Sequence, residues 1–147
     1  MEVQAAPPHL VVLHEALGRF WSKADATLAS PPDTTWRLQF ATAVAEIGAN
    51  IVRHAYAGGT KEGAFSLCLR LRPDRIDALF IDWGSPFTMP LEAFRPEKLA
   101  NVDPLELHET GRGLLASLAA LDLLQYRRTA GGTNCWRLVK RLPLSPG

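Results

Sequence analysis

The sequence predicts an α+β fold, a two-layer sandwich in which about three helices cover one mixed sheet. Two apolar periods support this reading. Residues 10–28 and 35–56 repeat apolar positions every three to four residues, the period of a helix with one buried face. Residues 64–71, 75–82, 123–129 and 133–142 alternate, or run short and apolar, between turn signals, which is the signature of strands. The resulting order, β-α-α-β-β-loop-α-β-β, suits helices layered on a single sheet. At 147 residues the chain has the length of one domain, 1–147, whereas two would each be undersized.

In the first helix, from His9 to about Leu28, the apolar positions are Leu10, Leu13, Leu17, Phe20/Trp21, Ala24 and Leu28. Ser30-Pro31-Pro32-Asp33 ends it, and Asp33 or Thr34 can cap the next helix, expected from Thr35 to Tyr56. There Phe40, Val44, Ile47, Ile51 and Ala55 mark the apolar face. With Glu46 at 0° on a wheel of about 100° per residue, Asn50 lies near 40° and the apolar stripe about 140° away. Glu46 and Asn50 therefore share a polar face one turn apart. Their neighbours Thr42, Ala43, Ala49 and Ala57 are small, so that face is trimmed of bulk and open to a ligand.

Gly58-Gly59-Thr60-Lys61 breaks the second helix. A hairpin follows, Ala64–Leu71 and Arg75–Asp82, ending in Asp82-Trp83-Gly84-Ser85-Pro86-Phe87. Residues 88–110 carry three prolines and little pattern, and a loop this long inside a domain is commonly functional. Gly111-Arg112-Gly113 opens a third helix bearing Leu114, Leu118 and Leu121, and Ala130-Gly131-Gly132 turns between the last two strands. One further strand is expected around Val3, and the tail from Pro143 is expected to fray.

Composition narrows the function. Sixteen Lys and Arg against fifteen Asp and Glu leave a net charge of +1, so no basic excess favours direct nucleic-acid binding. No apolar run approaches the roughly 20 residues that span a bilayer, and the first residues lack a signal peptide's basic region, so a cytoplasmic protein is expected. Cys68 and Cys135 stand alone in sequence and read as two buried reduced thiols rather than a zinc site. His14 reads as a surface residue of the first helix, and Arg127, Arg128, Arg137, Lys140 and Arg141 as a solvated strand face.

Four pieces can carry chemistry. In Glu46-x-x-x-Asn50, the amide oxygen can hold a hard cation such as Mg²⁺ and the carboxylate can accept a proton, although the same spacing occurs in ordinary helices. In Asp82-x-Gly84, a buried carboxylate can accept a hydrogen bond from an exocyclic amine, and glycine lets backbone approach a flat ring. Gly111-Arg112-Gly113 at a helix start offers unpaired N–H groups and a positive dipole end to phosphate, and it also suits a plain hinge. Thr133, after Gly131-Gly132, offers a hydroxyl or simply closes a turn.

Taken in order, these four pieces resemble the N, G1 and G2 boxes and closing Thr of the GHKL, histidine-kinase-like ATP-binding (Bergerat) fold. Within it the chain resembles the small anti-sigma factor serine/threonine kinases of the RsbW and SpoIIAB type. The resemblance rests on Glu46–Tyr56, Asp82–Phe87, Glu109–Leu115 and Gly131–Thr133, and it extends from about Leu10 to Arg141. It implies ATP and Mg²⁺ as ligands. Asn50 would hold the metal, and Asp82 the adenine amino group with Gly84 giving clearance and Thr133 in support. Gly111, Arg112 and Gly113 would take the phosphates under a lid over residues 88–110, and Glu46 would be the base. Partners implied are a STAS-domain anti-anti-sigma protein as substrate, a sigma factor as sequestered partner, and a second copy in a homodimer. One departure stands out: relatives often carry Arg where this chain has Glu109. It favours, mildly, the alternative of a non-catalytic nucleotide-binding anti-sigma or adaptor module. A sensor kinase would need a helical hairpin bearing a phosphoacceptor His, and only one helix precedes that of Glu46.

Overall fold

A computed structural model of the chain describes residues 2–4, 9–54, 64–87, 117 and 119–143. Its elements are β1 (Glu2–Gln4), α1 (His9–Thr27), α2 (Thr34–His54), β2 (Ala64–Leu71), β3 (Arg75–Asp82), β4 (Leu123–Arg128) and β5 (Asn134–Arg141). Ser117, Ala119 and Ala120 are helical, where the third helix is expected. The expected loop over 88–110 and Gly111-Arg112-Gly113 lie outside the described residues.

Local chemistry sets the helix and turn boundaries. Pro31-Pro32 separates α1 from α2, and the Asp33 carboxylate accepts the Trp36 N–H at 2.9 Å, making Asp33 the cap of α2. Arg37 ties the two helices together through an ion pair with Asp25, which holds that carboxyl below its ordinary range by hydrogen bonding first and charge second. Pro73-Asp74 turns β2 into β3, closed by Arg72 N–H donating to Arg75 C=O at 2.8 Å. Gly132, at a φ of 87°, supplies the left-handed residue of the β4–β5 turn.

The sheet order is β1-β2-β3-β5-β4. Each described pairing is antiparallel, where a mixed sheet was expected. The reason lies in the strand order. Both β3 and β4 are antiparallel to β5, so they run the same way, but β5 inserts between them and no parallel ladder forms among the described strands.

Strand alternation divides the sheet into two faces. Phe65 and Leu67, then Ile76, Ala78 and Phe80, then Trp136 and Leu138 point one way and are buried. Leu13 and Leu17 of α1 and Phe40, Val44, Ile47 and Ile51 of α2 cover them, so the helices form the second layer of the sandwich. Gly48 lets the helices close on this core, since a Cβ there would lie 2.8 Å from Leu13 Cδ1. The opposite sheet face explains a correction to the thiols. Both are free, but Cys68 is exposed and Cys135 half-buried, because their phase in β2 and β5 turns them away from the helices. His14 is exposed, as its helix position implied.

Candidate functional site

The helix-facing side of the sheet is apolar until its last rung. Asp82 ends β3 and pairs directly with Asn134, which begins β5. Both continue the inward phase of their strands and are almost fully buried, at 1% exposure each. Two polar side chains thus occupy the position where the preceding rung, Phe80 and Trp136, is purely apolar.

Asn134 organises this end. Its amide nitrogen donates to Asp82 Oδ1 at 2.7 Å and to the carbonyls of Gly84 and Ser85 at 3.1 Å each. Its amide oxygen accepts from the Tyr126 hydroxyl at 2.5 Å and from Arg128 Nη1 at 2.8 Å. Gly84 N–H also donates to Asp82 Oδ1, at 3.0 Å. The chain after β3 is therefore folded back on its own carboxylate. Burial pushes the Asp82 carboxyl up, against the bonds from Asn134 and Gly84 and the charge of Arg128.

Phe87 closes the arrangement. Its N–H donates to Tyr126 Oη at 2.9 Å, and its ring packs edge-on against Tyr126 and Trp136, with centroids 5.7 and 5.0 Å away. Beneath it is a cavity of about 10 Å³, walled by Asn50 and Ile51 of α2, by Asp82 and Asn134, and by Tyr126, Trp136, Ser85 and Phe87. That space suits about one water molecule.

Asn50 is the anomaly of the site. Its side chain is 3% exposed, yet neither Nδ2 nor Oδ1 has a hydrogen-bond partner among the described residues. Buried amides are nearly always paired, and leaving one unpaired costs about 1–3 kcal/mol. An amide oxygen so placed fits a role toward a bound ligand. A hard cation such as Mg²⁺ accepts one or two protein oxygens and takes the rest from phosphates and water. Among the described residues no group of three or more His, Cys, Asp or Glu exists to hold a metal without such help.

The structure therefore brings Asn50 and Asp82 to one pocket, with Gly84 bonded to Asp82. Glu46 lies one helical turn before Asn50 and is half-buried. Thr133 is half-buried in the β4–β5 turn, where its N–H donates to Thr129 Oγ1 at 3.1 Å, and it is not among the residues that wall the cavity. Gly111, Arg112 and Gly113 lie outside the described residues. Asn134, Tyr126, Arg128 and Phe87 were not anticipated. Alternation holds the clue to Asn134: Trp136 and Leu138 set the inward phase, so the inward polar residue of β5 is Asn134 and not Thr133. Arg128, read as part of a solvated face, has the same inward phase at the end of β4 and reaches Gly84 O at 3.1 Å.

Helices on one face of an antiparallel sheet, with a buried carboxylate and an unpaired amide at the edge of their interface, fit the ATP-binding fold of GHKL domains. The comparison with known families agrees: the model for the histidine kinase-like ATPase domain matches residues 6–140. The chain belongs to that family. No curated protein matches it. No helix among the described residues is long and apolar enough to cross a membrane.

Proposed function

We propose that the chain is an anti-sigma-factor-type serine/threonine protein kinase, a single domain that binds ATP with Mg²⁺. It phosphorylates a STAS-domain antagonist and sequesters a regulatory partner such as a sigma factor. The observation that carries the ATP·Mg²⁺ part is the Asn50 amide, buried without a bond and walled into one pocket with Asp82. In this reading Asn50 holds the metal. Asp82, kept in place by Asn134 and Gly84, accepts from the adenine amino group. Gly111, Arg112 and Gly113 cradle phosphates beneath the segment 88–110, and Thr133 supports the adenine contact of Asp82 from the turn. ATP supplies the phosphoryl group. Glu46 takes the proton from the acceptor hydroxyl, and positioning plus charge neutralisation do most of the remaining work. Phosphorylation adds close to two negative charges to the antagonist, enough to expel it from its dock. The homodimer and cytoplasmic location belong to the same proposal.

The cavity is too small for a purine, and in this reading Phe87 leaves Tyr126 and Trp136 when nucleotide binds. A non-catalytic module that only couples nucleotide to this movement is the second reading, and Glu109 in place of a cation favours it. Glu46→Gln separates the two. Under the kinase reading the variant binds Mg·ATP with unchanged affinity by calorimetry and transfers no label from [γ-³²P]ATP to a STAS-domain substrate. Transfer at the wild-type rate removes Glu46 as base. Binding without transfer in the wild type assigns the chain to the second reading.

A further inference from the structure

A second feature lies away from the pocket, along the outer edge of β2. This strand runs over Ala64–Leu71, but its neighbour β1 covers only Ala64–Ser66. β1 is the edge of the sheet, so from Cys68 to Leu71 the outer side of β2 has no strand partner among the described residues. The hairpin fixes which backbone groups face outward. Arg72 turns its N–H inward to Arg75. By antiparallel alternation Leu69 and Leu71 turn theirs outward, an open template for another strand.

α1 runs beside this edge, and a groove of about 370 Å³ separates the two, walled by Phe20 and Ala24 on one side and Leu69 and Leu71 on the other. A second groove of about 310 Å³ shares Phe20 and Leu69 and extends it. Cations outnumber acids around this trough, where Asp77 of β3 lies opposite Arg70 and pairs with Arg72 at 3.9 Å. Lys23, Arg70 and Arg72 line the first groove and Arg19 the second, with no Asp or Glu in either. In a chain of net charge +1 this is a local concentration of cations.

We propose that the Cys68–Leu71 edge is a docking site for an extended segment of a partner protein that alternates apolar and acidic residues, taken up by strand addition to β2. One phase of the segment enters the groove against Phe20, Leu69 and Leu71. The other lies over the opposite sheet face beside Arg70 and Arg72, which share a phase. Main-chain hydrogen bonds supply affinity, while alternate side chains supply selection. Pairing with a second copy of β2 is disfavoured because it sets Arg70 and Arg72 of one chain against those of the other, and opposed like charges destabilise a sheet. The edge is independent of the nucleotide pocket: Leu71 is at the far end of β2 from Phe65, the residue that pairs with Asp82.

The test uses the full chain and fluorescein-labelled peptides of alternating Val and Glu. Saturable binding is expected by anisotropy, with slowed amide exchange at Leu69 and Leu71 by NMR. N-methylation of alternate peptide amides, which leaves the protein untouched, weakens binding at least about tenfold because it removes the ladder. A Val/Lys peptide binds at least about tenfold more weakly than Val/Glu, and Arg70→Glu with Arg72→Glu reverses that preference. No saturable binding overturns the proposal. So does equal affinity for Val/Lys, or binding without protection of Leu69 and Leu71. Self-association that competes with the peptide assigns the edge to a second copy and overturns it as well.

Discussion

α2 passes through two different environments on its way along β5. Near its start, Trp36 stacks on Phe40 with Trp21 edge-on to both, and Trp36 Nε1–H donates to Arg141 C=O at 2.9 Å. Lys140 lies 5.5 Å from the Trp36 ring and donates to Ala120 C=O at 2.6 Å. Each of these polar groups has a partner. About four turns later the same helix presents Asn50, buried and with no partner among the described residues. One end of the helix–sheet interface is saturated, and the other keeps bonding capacity in reserve. The contrast teaches that burial alone does not mark a core residue as structural; the state of its hydrogen bonds does.

The saturated end should be where substitution costs most. Phe40 is completely buried between Trp36 and Trp21. Phe40→Ala is expected to lower unfolding free energy by about 3–5 kcal/mol in urea titrations. A cost below about 1 kcal/mol would mean that this end is no better packed than a surface, and the contrast would fail.

The reserved end should respond with the opposite sign. Asn50→Leu keeps volume while removing two unpaired polar atoms, so the protein is expected to gain about 1–2 kcal/mol and to lose Mg·ATP binding by calorimetry. A loss of stability would show that Asn50 is bonded in the native protein. Retained affinity would remove it as the metal ligand.

That difference also governs what the sequence could reveal. Apolar period and turn chemistry place β2 to β5 and both long helices, because burial of Phe40, Ile47 or Phe80 follows directly from spacing. The trimmed face around Glu46 and Asn50 is visible on a helical wheel, and Asp82-x-Gly84 is visible as a strand end. Strand register is not local. Nothing near Asn134 in sequence states that it will sit opposite Asp82, and Thr133 draws attention because it follows two glycines. The closure by Phe87 and Tyr126 depends on residues 39 positions apart and emerges only once β4 is set beside β5.

The Asp82 carboxyl tests the pocket by pH. Burial raises its pKa in the folded protein above the usual value near 3.8, so the native state holds the proton more tightly than the unfolded chain. The resulting stabilisation is complete below about pH 4 and is lost as pH rises through the raised value. Asp82→Asn removes this dependence. The urea midpoint of wild type should therefore fall relative to that of Asp82→Asn as pH increases from about 4, all other titrating groups being common to both. Parallel curves would show that Asp82 binds its proton equally in both states.

The smallest effect concerns the contact that shuts the pocket. Tyr126 Oη accepts from the Phe87 N–H and donates to Asn134 Oδ1, so it links the covering segment to the residue that holds Asp82. Tyr126→Phe keeps the ring against Phe87 and Trp136 and deletes both bonds. Arg128 still donates to Asn134 Oδ1, which keeps that atom paired, so the cost in stability is expected near 1 kcal/mol. The kinetic consequence should exceed the thermodynamic one. If Phe87 must leave before a purine enters, a weaker tether raises the fraction of open molecules, and the association rate of a fluorescent ATP analogue in stopped flow should rise several-fold. Exchange of the Phe87 amide should quicken in parallel. A faster-exchanging amide with an unchanged association rate would show that the segment opens without controlling entry, and the covering role assigned to Phe87 would then belong to another part of the chain.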